Sequence, residues 1–446
     1  MLFMSAALLP AAAAAAATPD VPFWSGRPDA TAFEKVQDGR LARARATLEK
    51  LLAVKNRRTI ENTLRPYDDV LLELDAAASQ AGLMENVHPD SVLRAAAERA
   101  TQKAEAFSTG LSLNRALYDA LAAVDLTGAD AETRYYVKKT LRDFRLAGVD
   151  RDEPTRAKVR ALRDTLVEIS QEFQRNIRSD RRTVTAAGAA ELEGLPADYI
   201  ARHKPDENGR ITLTIDYPDA IPVFYYAKHE DLRRRMYVEY SNRAFPKYVE
   251  VLGRLIAKRD ELARLLGYPN YAAYITADKM VESEKNAAGF IDRIAAASGA
   301  RAETEYGVLL GRERREVPGA AVVNAWESSY YQELVKKSDY DFDAQTVRPY
   351  FPYERVKQGV LDVTARLFGV TFKRVEQAPV WDPSVECWEL VDGGALAGRF
   401  YLDMHPRKDK YNHAAQFDVH TGVAGRQIPE AALISTSRAA SPETRD

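Results

Sequence analysis

The sequence predicts a mainly α-helical protein with a small β-sheet near its C-terminal end. In the first two thirds, apolar residues recur at three- and four-residue steps in segment after segment, the spacing of helices with one buried face. Short β-prone runs with Gly-containing turn signals gather only around residues 183–215 and again after 370. The chain has 446 residues, more than one ordinary core accommodates, so two or three packed lobes are expected.

Residues 1–17 read MLFMSAALLPAAAAAAA, an apolar run ending in small residues, as in a secretory signal with its cleavage site. The run is too short to span a bilayer. It carries no positive charge at its start, so export, to the periplasm or beyond, stands beside a cytoplasmic alternative. Leu41, Ala44, Leu48, Leu51 and Leu52 then form one helical stripe. Residues 59–79 form a second, broken or kinked at Pro66. Asp90 and Ser91 cap a helix running toward Phe107, and 113–124 is a further short helix. The clearest helix starts at Pro154, behind the capping residues Asp152 and Glu153. Its apolar face is Val159, Leu162, Leu166, Ile169, Phe173 and Ile177.

Near Arg182 the pattern changes. Residues 183–185 and 211–215 read as strands, with Asn208-Gly209 as the turn between them. Helices resume near Pro222. A long one is expected over 246–266, with Val251, Leu252, Leu255, Ile256, Leu262, Leu265 and Leu266 inward and Gly267 ending it. Others follow over 290–311, 327–336 and 353–368. Strands are expected at 370–375, 387–391, 398–404 and 414–419, with Asp392-Gly393-Gly394 as a hairpin turn.

Composition excludes several functions. Lys and Arg number 63 against 65 Asp and Glu, a net charge of -2 that offers no attraction to nucleic acid or an anionic membrane. Cys387 is the only cysteine, so no intramolecular disulfide forms. No segment after the leader is apolar enough to span a bilayer, so no membrane partner is expected. The sequence contains no H-E-x-x-H, C-x-x-C, Walker loop or G-x-S-x-G. The six histidines are His88, His203, His229, His405, His413 and His420. His229-Glu230 is the one His-Glu pair, and Arg233 stands where a second zinc ligand would be, so the pair reads as helix surface. His413 and His420, seven apart on what look like separate strands, are a poor zinc arrangement.

Ordered blocks carry more. Gly267-Tyr268-Pro269-Asn270-Tyr271-Ala272-Ala273-Tyr274 is followed by Lys279-Met280. Trp326, Tyr330-Tyr331, Tyr350-Phe351-Pro352, Gly359 and Leu367-Phe368-Gly369 come next. Then come Gly398-Arg399-Phe400-Tyr401-Leu402-Asp403-Met404 and Pro406-Arg407-Lys408-Asp409-Lys410-Tyr411-Asn412-His413-Ala414-Ala415. This series, over roughly 141–433, resembles the thimet oligopeptidase, oligopeptidase A and peptidyl-dipeptidase family of zinc peptidases, in its N-terminal part only. The resemblance implies an elongated, two-lobed helical channel, truncated here, in which short peptides are cut. It implies a zinc ion held by H-E-x-x-H and a downstream glutamate, with water activated on the metal. Those ligands have no counterpart in this sequence. No catalytic residue, no metal ligand and no bound zinc are therefore expected, and the chain as written should be inactive. Endopeptidase and dipeptidyl-carboxypeptidase action are not distinguished. The resemblance does implicate Tyr411, His413, Ala414 and Ala415 in lining a bound peptide by strand addition. The alternative is a non-catalytic peptide-binding or scaffold protein. Short peptides are the expected partners of a monomer.

The family continues after its sheet with an apolar stretch, matched by residues 429–434, and then C-N-F-P. Residues 435–446 read STSRAASPETRD instead. With suitable codons, deleting one base from a gene encoding C-N-F-P-R-G-E-P-G-D-P-G yields that tail, so a frameshift after Ile434 is expected, and intact coding in the alternate frame would reveal it. The sequence thus divides into a leader (1–17), an N-terminal helical region (18–180), a helical region with short strands (181–390), a sheet section (391–434) and a disordered tail (435–446). A fragment of this kind should be unstable and aggregation-prone, with parts of the strands over 400–417 facing water.

Overall fold

A computed structural model describes residues 21–411 and 413–435. The leader expected at 1–17 and all of the tail but Ser435 lie outside the described residues. Helix α1 (Ala30–Leu52) is capped by the Asp29 side chain and buries Phe33, Leu41, Ala44 and Leu51, with Leu48 and Leu52 packed alongside. A single π turn (Ile60–Leu64) leads into α2 (Arg65–Val87), so Pro66 sits in the first turn of a new helix and does not kink an old one. Helix α3 (Ser91–Ser112) is capped by Asp90, and α4 (Arg115–Ala122) and α5 (Ala131–Ala147) follow. Gly148 ends α5 at φ +99°, where a Cβ would stand 2.6 Å from Leu266 Cδ2. Helix α6 (Glu153–Ser179) starts as expected, with Asp152 accepting from the Thr155 amide.

Strands β1 (Thr183–Ala186) and β2 (Ile211–Thr214) pair antiparallel. The expected turn at Asn208-Gly209 does not join them directly. A 3₁₀ turn and helix α7 (Ala197–Arg202) intervene, and the turn only leads into β2. Helices α8 (Tyr217–Tyr226) and α9 (Glu230–Ser241) close a small core around Tyr199, Leu213, Leu232 and Met236. Helix α10 (Lys247–Leu265) packs along α6 through Val251, Leu255 and Leu262. Leu252 and Ile256, expected inward, are 36% and 58% exposed, because α6 covers only one side of α10. Helices α11 (Tyr271–Thr276), α12 (Glu284–Glu313), α13 (Ser328–Asp339), α14 (Ala344–Val347) and α15 (Tyr353–Phe368) follow.

The second sheet contains β3 (Thr371–Arg374), β4 (Glu386–Asp392), β5 (Ala395–Asp403), β6 (Ala415–His420) and β7 (Glu430–Ile434), in the order β3-β4-β5-β7-β6. Gly393 and Gly394, both at positive φ, form the tight turn between β4 and β5. The apolar stretch 429–434 supplies the interior strand β7, parallel to β5 and antiparallel to β6. One sheet face, through Tyr401, Val419, Ala432 and Ile434, packs on Leu83, Met84 and Val87 of α2 and on Trp24 and Phe33. On the other, Trp388, Phe400 and Leu402 meet Leu361 of α15.

Phe400 and Phe417 are thus half-buried. The large exposed apolar side chains lie chiefly elsewhere: Phe290, Ile291 and Ile294 on α12, and Val360, Val363, Leu367 and Phe368 on α15. The strands over 400–417 do face water in part, at His413, Ala414 and Gln416, while helical faces carry most of the exposed apolar surface.

Candidate functional site

The segment from Asp403 to Ala415 connects β5 to β6, and its shape is set by a buried ionic cluster. Asp403, with no solvent exposure, accepts a two-pronged pair of hydrogen bonds from Arg407 (2.6 and 2.7 Å) and one from Trp381 Nε1 (2.9 Å). Lys410 Nζ lies 2.8 Å from the same carboxylate and donates to the carbonyls of Asp403, His405 and Ser435, each at 2.7 Å. Burial alone would raise the Asp403 carboxyl, but Arg407 and Lys410 outweigh it and hold it below the usual carboxylate range. The cluster ties the end of β5, the connecting loop and the end of β7 to one point. Arg407 also donates to the Val87 carbonyl, which fastens the loop to α2.

Asp409, at φ +62°, pairs with Arg94 (3.3 Å) and Arg181 (3.0 Å). The Tyr411 amide donates to the Asn86 carbonyl at 2.8 Å. The Tyr411 ring stands edge-on to Phe417 (5.9 Å between centroids) and parallel to His413 (6.5 Å). His413 meets Tyr217, at the start of α8, edge-on at 5.3 Å. His413 and Ala414 are exposed, Tyr411 and Ala415 half-buried. The four residues named from sequence therefore lie together at the start of β6, whose edge away from β7 has no strand neighbour among the described residues.

The far end of β6 is fixed by a second buried network. Glu430 accepts from Arg399, from Tyr401 Oη (3.1 Å) and from the Phe23 amide (3.3 Å). His420 Nε2 lies 2.7 Å from Gln80 Nε2, and Gln80 accepts from Gln37 at 3.2 Å. A strand held at both ends with one open edge can take a further strand at little ordering cost.

The remaining histidines do not converge. His413 and His420 flank β6 at opposite ends; His203 pairs with Asp219 at 3.1 Å; His405 packs on Tyr353. His229 caps nothing and, like Glu230, is exposed at the start of α9, where Glu230 accepts from Trp326 Nε1 at 3.2 Å. Among the described residues no three His, Cys, Asp or Glu side chains form a metal-binding group. The described residues do not fit a zinc ion. Cys387 is 2% exposed, and burial pushes its thiol up to about 12. A cleft of about 610 Å³ between α3, α6 and α10 is lined by Glu85, Thr101, Arg163 and Gln171. Its one deeply buried acid, Glu85, is occupied by Thr101 (3.3 Å) and sits 4.0 Å from Arg178.

Sequence reasoning missed Tyr217. The available signal was the density of aromatics between 217 and 240: Tyr217, Phe224, Tyr225, Tyr226, Tyr237 and Tyr240.

Residues 223–443 match peptidase family M3. The chain is 29% identical over 387 residues to oligopeptidase A of Escherichia coli (strain K12), which covers 82% of this chain and 56% of that protein. It is 26% identical over 414 residues to the thimet-like oligopeptidase of Dictyostelium discoideum (87% and 61%). It is 26% identical over 405 residues to saccharolysin of Saccharomyces cerevisiae (84% and 57%). The chain thus spans between 56% and 61% of the length of these relatives.

Proposed function

This chain belongs to peptidase family M3, and we propose that it is the peptide-holding front portion of a hydrolase of short peptides, able to bind a peptide and unable by itself to cut one. The observation that carries this reading is that β6, entered through Tyr411, His413, Ala414 and Ala415 and braced at both ends by buried ionic networks, has no strand neighbour on its side away from β7 among the described residues. An extended peptide laid along that edge would gain backbone hydrogen bonds, with its side chains alternating between the sheet faces. In a complete enzyme zinc would supply the activated water; here the sequence offers no H-E-x-x-H to hold it. Export rests on the sequence of residues 1–17, and fractionation of expressing cells tests it.

The test is binding of a labelled hexapeptide and of its single N-methylated variants to the full chain. Blocking an amide that bonds to the edge should weaken binding about three- to tenfold, and blocking the alternate ones should not. Uniform affinity across the methylated series would end the strand-addition reading. Hydrolysis of the peptide by the purified chain with added zinc, above the buffer rate, would end the reading of inactivity.

A further inference from the structure

A cavity of about 380 Å³ lies between α1, α2 and the connection from β6 to β7. Arg40, Arg43 and Lys50 reach it from one face of α1, at steps of three and seven residues. Helix α2 contributes Asp69 and Glu73, and the connection contributes Arg426. Four cations therefore meet two carboxylates, in a chain whose net charge is -2. Ion pairing leaves the local excess in place. Arg40 and Arg43 share Glu73 (3.3 and 2.8 Å), Arg426 takes Asp69 (2.6 Å), and Lys50 has no acid within ion-pair reach among the described residues. Arg40 shows the shortage of negative charge most clearly. Its side chain is 22% exposed, and its Nε is enclosed with no hydrogen-bond partner. Burial, with Arg43 acting in the same sense, outweighs Glu73 and holds the guanidinium below its ordinary range.

We propose that this cavity binds a phosphate dianion, either free or carried as a monoester on a small molecule. Three features support the proposal. The two positive charges left over by ion pairing match an anion of two negative charges, the form phosphate monoesters take above a second pKa of ~6. Guanidinium forks and an ammonium are the groups that hold phosphate oxygens. Ala46 and Leu72, also in the lining, would meet the carbon part of an ester. The consequence lies in the connection. It folds back through the Gln427 side chain, which donates to the Thr421 carbonyl at 2.8 Å. It rests on α2 through Arg426 and through Thr421, which donates to Asp75. An anion shared by Arg40, Lys50 and Arg426 adds α1 to that hold and fastens the chain where it leaves the far end of β6. The inference is independent of peptide binding at the start of the strand.

The experiment is calorimetric titration and thermal melting of the full chain with inorganic phosphate, glycerol phosphate and sulfate, against sodium chloride at equal ionic strength. Phosphate should bind saturably and raise the melting temperature more than chloride does. Lys50→Met and Arg426→Met, both at exposed positions, should each weaken binding about three- to tenfold, and so should Arg40→Met. Where melting shows that Arg40→Met has lost its fold, the two exposed variants decide alone. Glu73→Gln should tighten binding, because it removes a carboxylate that competes for Arg40 and Arg43. Phosphate affinity should fall from about pH 7.5 to about pH 5.5 as the anion takes up its second proton, whereas sulfate, a dianion at both, should keep its affinity. Bound phosphate should also slow hydrogen exchange over 421–429. Glycerol phosphate binding tighter than phosphate would make the ester the ligand, and weaker binding would make it the free ion. Equal effects of phosphate and chloride, or an affinity unchanged in both Lys50→Met and Arg426→Met, would overturn the proposal. Weaker binding in Glu73→Gln would overturn it too, and unchanged exchange over 421–429 would remove the fastening of the connection.

Discussion

Removing Lys410 should release the segment that presents Tyr411 to Ala415. Its side chain is 1% exposed and makes three hydrogen bonds to carbonyls and one ion pair. Lys410→Met keeps the length of the stem and deletes the charge. Breaking a buried ion pair costs about 3–5 kcal/mol when a partner is left uncompensated. Here the partners are not all orphaned. Asp403 keeps Arg407 and Trp381, and its carbonyl still accepts from the Ser435 amide at 3.0 Å. The carbonyls of His405 and Ser435 belong to half-buried residues and can bind water. The cost should therefore fall to about 2–4 kcal/mol. Asp403→Ala is the harsher change, because it leaves Lys410, Arg407 and the Trp381 indole without their shared acceptor; about 4 kcal/mol or more is expected. The double variant should cost less than the sum of the two, by about 1–3 kcal/mol, since each change relieves the group orphaned by the other. The chain packs several separate cores, so the assay must be local. Hydrogen exchange across 404–415 and urea unfolding followed by Trp381 fluorescence both report on the cluster. A Lys410→Met cost above that of Asp403→Ala, or costs below about 0.5 kcal/mol for both, would refute this account.

Acid should loosen the β1–β2 lobe through Asp219. Burial raises its carboxyl, but hydrogen bonds from His203 and Thr214 outweigh burial and carry it from 3.8 down to about 2. A depressed carboxylate stabilises the fold above its unfolded pKa and ceases to as pH falls through the folded one, so about 2 kcal/mol should be lost between pH ~4 and ~2. Acid titration of Asp219→Asn should lack that loss. Cys387 should resist a thiol reagent at pH 8 in the folded chain and react fully in urea; rapid reaction of the native chain would contradict its burial. Phe290→Ser with Leu367→Ser, at 52% and 72% exposure, should raise solubility while changing stability by less than about 0.5 kcal/mol, as measured by turbidity and melting.

Local signals were legible where one residue decides the outcome. Asp29, Asp90 and Asp152 accept hydrogen bonds from amides in the first turns of their helices, and Gly393-Gly394 turns β4 into β5. Asp90, Asp152 and the glycine pair could be read from sequence because caps and tight turns depend on neighbours in the chain. The inward set of α10 was overdrawn for a different reason. Seven apolar residues cover more than one side of a helix, and sequence does not say that α6 is its principal cover. Residues 429–434 could be read as apolar but not as an interior strand, since β7 pairs with β5 and β6 and the parallel partner lies some thirty residues upstream.

The same asymmetry holds at the candidate site. Tyr411, His413, Ala414 and Ala415 are adjacent in sequence, so a resemblance could name them together. What makes them a site comes from afar: Asn86 of α2 holds the Tyr411 amide, Arg94 and Arg181 hold Asp409, and Tyr217 of α8 meets His413. None of these is signalled by spacing, because contacts across 190 or more residues leave no periodicity in the chain. They also assign a division of labour. The Asp403 cluster fixes the backbone that leads into β6, whereas the lobe of β1, β2, α8 and α9 meets the same segment through the Tyr217–His413 ring contact and through Arg181, which bridges Asp216 and Asp409. The segment is therefore held from two separate cores. Acid that loosens the Asp219 lobe should speed hydrogen exchange over 211–240 before it does so over 404–411. Faster exchange in both segments at the same pH would show that the two cores unfold as one.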